Sequence, residues 1–149
     1  MPVVEKTSDI VNNMRLQEAP PDPSRARGRP VVATFIVANA SNDDLGSRFL
    51  LVRLPSFVIL DSRTAFKADT WGYATTQIGT RANPTALVNA ARNALHQPIA
   101  FGDARHGQPL WQALGLAADP GGEIELFAYA PANATGAGTM RGEIHYRTR

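Results

Sequence analysis

The chain has no cysteine. That excludes disulfides, thiolate metal centres and cysteine nucleophiles together, and it is compatible with a reducing cytoplasm without requiring one. Long apolar runs are missing too. No stretch approaches the ~20 residues that span a bilayer, and the opening MPVVEKTSDI lacks the charged start and apolar run of a secretory signal. A soluble protein that is not exported by itself is expected. Charge of one sign is equally scarce: 15 basic residues against 13 acidic give a net charge of +2, too even for a general attraction to nucleic acid. The three histidines, His96, His106 and His145, stand at no metal-ligand spacing, so no metal and no cofactor is expected.

What is present is enough for one core. A chain of 149 residues fits a single domain that buries about 68–70% of its unfolded surface without a staple. Residues 1–30 differ in kind from the remainder. Pro20, Pro21, Pro23 and Pro30 interrupt any regular element, and Arg25, Arg27 and Arg29 alternate with small residues, so this segment is read as an extended arm and 31–149 as the folded domain. Within the arm Ser8 is placed to cap a brief helix that groups Ile10, Val11 and Met14. The arm is either a leader that binds nothing or a segment that orders on a neighbouring subunit.

The domain reads as strands punctuated by turns. Val31–Asn39 is apolar and β-branched at nearly every position, which suits a strand covered on both faces or one buried between subunits. Phe49–Leu54 and Phe57–Arg63 are separated by Pro55-Ser56, where a missing N–H suits a sandwich corner. The mixed charges Asp61, Arg63, Lys67 and Asp69 imply an exposed connection. In Trp71–Gly79 the alternation puts Trp71, Tyr73, Thr75 and Gln77 on one side. That side is a half-buried sheet face, a subunit contact or an aromatic platform for a ligand such as a sugar. A helix is predicted from Asn83 as N-cap through Pro84 to His96, with Leu87, Ala90, Ala91, Ala94 and Leu95 on one stripe. Ile99–Phe101 follows as a short strand.

The last third is the clearest. Pro109 begins and Gly115 ends a one-turn helix that only burial can hold in place, and Asp119-Pro120-Gly121-Gly122 turns the chain sharply. Strands over 123–130 and 139–147 are predicted to pair across the loop Ala134–Thr139. In the first, Ile124, Leu126 and Ala128 face the core. In the second, Met140, Gly142, Ile144 and Tyr146 share one side and Arg141, Glu143, His145 and Arg147 the wet one. Ala134–Thr139 has glycines but no lysine and precedes a strand, so it is not a phosphate loop. Glu123 and Glu125 share a strand face, the pattern that an acid/base pair would need, yet next to Phe127 they fit solvated or intersubunit contacts better. The sequons at Asn39 and Asn133 matter only to a secreted chain.

These runs carry a resemblance. LWQALGLAADPGG, then a strand, the loop ATGAGT and a closing strand ending HYR, together with FLLVRLPSFVILDSRTAFKADTWGYATTQIGT upstream, resemble a family of capsid decoration (cement) proteins of tailed bacteriophages and prophages, over residues 30–149. The resemblance implies an all-β, jelly-roll-like antiparallel β-sandwich with one or two short helices in its connections. It further implies a virion structural protein on the capsid surface, assembled in the bacterial cytoplasm, that binds the major capsid protein and itself as a homotrimer. Binding and not catalysis is expected, with nucleic acid and membrane not among the partners. Ile10, Met14, Arg25, Arg27, Arg29, Phe127 and Tyr129 are the candidate partner-binding residues. The alternatives are a minor head or tail protein, a carbohydrate-binding sandwich using Trp71 and Tyr73, and a hydrolase using Glu123.

Overall fold

Two long strands rich in β-branched residues close one sheet. β1 (Arg29–Asn39) and β8 (Gly138–Thr148) pair antiparallel along their whole length, from Arg29 opposite Thr148 to Asn39 opposite Gly138. The structure, a computed structural model, describes residues 29–68, 70–92 and 94–148. On the other side of β8 lie β3 (Ile59–Leu60) and β4 (Ala65–Lys67), which pair with different stretches of it. The break between them is stitched by side chains. The Thr64 hydroxyl donates to the His145 carbonyl at 3.0 Å and accepts from the His145 N–H at 3.1 Å, so the backbone groups of β8 stay satisfied where no strand faces them.

The second sheet runs in the order β2 (Arg48–Pro55), β7 (Glu123–Tyr129), β5 (Thr75–Gly79), β6 (Val88–Ala91), all antiparallel. Pairing is therefore nested, first strand with last and second with next to last, which is the jelly-roll arrangement. Between the sheets sit Leu54, Leu60, Ile78, Leu126, Met140 and Ile144, all buried. Each contributes about 1.5–3 kcal/mol of transfer free energy. α1 (Leu110–Ala113) plugs one end: Leu110, Ala113 and Leu114 are buried, Trp111 only partly, and Gly115 at φ 81 ends the turn as its sequence position implies. Pro109 is the residue before the helix instead of its first position.

Four expectations are corrected. The strands over 123–130 and 139–147 do not form a hairpin: β7 belongs to the second sheet and β8 to the first. Their buried residues, Leu126 and Met140 among them, meet across the core, and the connecting loop crosses from sheet to sheet. Among the described residues of 83–96 no helix occurs. Asn83 does make a local turn, accepting at its side chain from the Thr85 N–H at 3.3 Å, but Val88–Ala91 then pairs with β5. Sheet pairing overrides the intrinsic preference of alanine, and the alanines end up on an exposed edge strand. Ile99–Phe101 is a turn, and the supposed exposed connection after Asp61 contains β4 with Phe66 fully buried.

Candidate interaction surfaces

Asn39 locks three segments together. At the end of β1 its side-chain amide donates to the carbonyls of Ala40 at 3.0 Å and Gly136 at 2.8 Å, while its oxygen accepts from the buried Gly72 N–H at 3.0 Å. The residue is buried, which removes the first sequon as a modification site. Directly after Gly72 the chain bends before β5 starts, so the side-to-side alternation expected from Trp71 does not carry through. Trp71 and Tyr73 are 0% and 1% exposed, packed edge-on with centroids 5.3 Å apart, and Phe49 stacks against Trp71 at 5.2 Å. Burial raises the Tyr73 hydroxyl above its ordinary pKa, with Asp43 and Asp44 adding to the shift. The aromatic platform needed to bind a sugar is thus part of the core.

Phe127 and Tyr129 are also buried, although they lie on the side of β7 away from Leu126. The Tyr129 hydroxyl donates to the Thr80 carbonyl at 3.0 Å, and the Arg81 guanidinium lies 5.3 Å from the Phe127 ring centre. The loop after β5 covers them. Ile10, Met14, Arg25 and Arg27 lie outside the described residues, as does the side chain of Arg29, whose backbone opens β1. Glu123 is exposed and Glu125 reaches Arg53 at 4.0 Å, an exposed ion pair of little energetic weight. His145 pairs with Glu143 at 3.1 Å, and no group of three or more residues able to hold a metal occurs among the described residues.

Two exposed features were not legible as sites. The outer face of the first sheet has a groove of about 590 Å³ whose walls include Ile36 of β1, Lys67 of β4, Arg141 and Glu143 of β8, and Leu95. Phe35, Gly142 and Phe66 also line it, and the two phenylalanine rings lie 5.8 Å apart. Val32 and Ile36 continue this apolar surface at 53% and 68% exposure. The second feature is the loop 98–108, which carries Phe101 at 89% exposure, the highest of any large apolar residue described. It is held firmly. Arg105 grips Asp103 through Nε and Nη2 at 3.1 and 3.2 Å, and the turn closes with Asp103 N–H to Ala100 at 2.9 Å and His106 N–H to Asp103 at 3.0 Å. The guanidinium holds the Asp103 carboxyl below the usual carboxylate range. The sequence signal was available in an aromatic residue beside Gly102 in an otherwise polar turn.

A sandwich with Trp71 and Tyr73 inside, no described metal cluster and exposed apolar features on a sheet face and a stiff loop belongs to the class of jelly-roll domains. The solved structure "Cyanophage Pam1 capsid asymmetric unit" contains a chain similar to it throughout, covering 100% of both chains at a TM-score of 0.53 and 14% identity. No family model and no curated protein matches the sequence.

Proposed function

We propose that this chain is a phage virion structural protein, and within that class a capsid decoration protein that binds the lattice of the major capsid protein and stabilises the head. The observation that carries the reading is the end-to-end similarity of fold with a chain of a cyanophage capsid asymmetric unit. Its surface chemistry agrees with binding in place of turnover. The stiff Phe101 loop presents a large apolar anchor whose ordering entropy is already spent, the property expected of a contact hot spot. A homo-oligomer, a trimer in the form that the sequence resemblance implies, would engage several lattice points together and turn weak contacts into tight attachment through effective concentration. On this reading the protein acts on the capsid surface and has no catalytic cycle.

Purified phage particles provide the test. The protein is expected in particles at a copy number fixed by capsid symmetry, and heads stripped of it should rupture at lower temperature until purified full-length protein is added back. Its absence from particles, or unchanged head rupture after stripping, refutes the proposal. Imaging that places it on the tail would assign the minor tail role instead.

A further inference from the structure

Among the described residues β1 has one neighbour. β8 pairs with it at every position from Arg29 to Asn39, and among the described residues no strand lies on its far side. An edge of eleven residues with open N–H and C=O groups invites pairing, and proteins blunt such edges with charges, prolines, bulges or short strands. From Val31 to Asn39 β1 has none of these, and its register with β8 is unbroken. The edges of the second sheet are protected: β2 carries Arg48, Arg53, Pro55 and a register shift between Leu50 and Val52, and β6 is four residues long. Among the described residues, this edge of the molecule is open.

We propose that β1 pairs antiparallel with β1 of a second copy across a two-fold axis, joining the two first sheets into one continuous sheet. Charge selects this occupant. A strand that pairs with its own copy sets each residue against another from the same strand, so any charge near the centre would meet a like charge or an apolar mate, and β1 has no charge after Arg29. Side-chain exposure selects the register. With Thr34 on the axis, Val32 of each copy faces Ile36 of the other and Thr34 faces its own counterpart, so the two large exposed apolar residues of the strand cover each other twice. Moving the axis to Ala33 or Phe35 would set Val32 or Ile36 against threonine. The contact is a property of the free protein and goes beyond capsid attachment. Each β1 has one partner, so a trimer built through other surfaces would be linked by it to a neighbouring trimer.

The lack of cysteine makes the test clean. In the full chain, Thr34→Cys places two thiols on the axis with Cα atoms about 4.5–5.5 Å apart, within disulfide reach. Ile36→Cys leaves its two thiols four residues out of register, roughly 13 Å or more apart. Under mild oxidation Thr34→Cys should give a covalent dimer on a non-reducing denaturing gel, and Ile36→Cys alone should not. A mixture of Val32→Cys and Ile36→Cys chains should cross-link. Thr34→Lys, an exposed change that sets two cations face to face, should weaken self-association by about tenfold or more in light scattering with an unchanged circular dichroism spectrum. Cross-linking of Thr34→Cys no faster than Ile36→Cys overturns the proposal. So does a monomer whose amides from Val31 to Ala38 all resist exchange, since residues 1–28 of the same chain would then hold the edge.

Discussion

Replacing Asn39 by alanine tests the interlock at the end of β1. The substitution removes an acceptor from the buried Gly72 N–H and a donor from the Gly136 and Ala40 carbonyls. An orphaned buried donor or acceptor costs about 1–3 kcal/mol, and the Gly136 and Ala40 carbonyls are near enough to the surface for water to repair part of the loss, so the expected total is roughly 2–4 kcal/mol. For a domain of this size that lowers the midpoint of thermal unfolding by roughly 6–16 °C. Asn133→Ala is the control. Its oxygen accepts the Leu45 N–H at 2.8 Å in an exposed setting, where water substitutes, and the loss should stay below about 1 kcal/mol. Asn39→Asp adds a pH signature. One carboxylate oxygen still accepts from Gly72, but the other faces two carbonyls and offers them no proton unless it is protonated. The fold therefore raises the pKa of the introduced carboxyl, the native state binds more protons than the unfolded one, and stability relative to the parent falls as pH rises from about 4 towards 7. Urea unfolding of the three variants, with an unchanged slope, gives the values. An Asn39→Ala loss no larger than that of Asn133→Ala would refute the interlock.

Three further outcomes are expected. A Cβ on Gly138 would sit 1.6 Å from the Thr70 carbonyl oxygen, whereas one on Gly142 would meet ring atoms of Phe35 and Phe66 at 2.6 and 2.7 Å, so Gly138→Ala should abolish soluble folding and Gly142→Ala should cost about 1–3 kcal/mol by urea unfolding. Phe101→Ala should leave unfolding within about 0.5 kcal/mol of the parent while lowering occupancy on phage heads, and equal occupancy would remove the loop from the attachment surface. The Ser56 hydroxyl at 2.6 Å and the Gly121 N–H at 2.8 Å hold the Asp119 carboxyl below its ordinary range, so that turn keeps its full stabilisation above about pH 3.9 and loses it as pH falls through the depressed value. Protection of the Gly121 amide relative to its intrinsic exchange rate should fall over that interval, while unchanged protection would show that the bonds do not persist in solution.

Burial periodicity was the most legible part of the sequence, and partner choice the least. In β8 the alternation identified Met140 and Ile144 as core because Arg141 and Glu143 on the opposite side are exposed, although His145 and Arg147 on that side are half-buried. The same kind of pattern in β7 identified Ile124, Leu126 and Ala128, but a period of two says which side is covered and nothing about which strand lies alongside. Adjacent strands were therefore paired as a hairpin when their shared core lies between two sheets. Ala90 and Ala91 suit a helix stripe and a thin edge strand equally, and only pairing with Thr75 and Thr76 decides between them. Trp71 and Tyr73 were misplaced because a strand period was carried through a bend. The exposed Val32 and Ile36 were hidden for the opposite reason, since the apolar content of β1 looked like that of a strand buried on both sides.

The zipper between β1 and β8 also sets when this protein can take shape. Its two halves are separated by nearly the whole folded region, so during synthesis the first sheet has no partner for β1 until residues 138–148 have left the ribosome. Until then this long apolar strand waits unpaired, and messages that slow translation between the two strands would lengthen that wait.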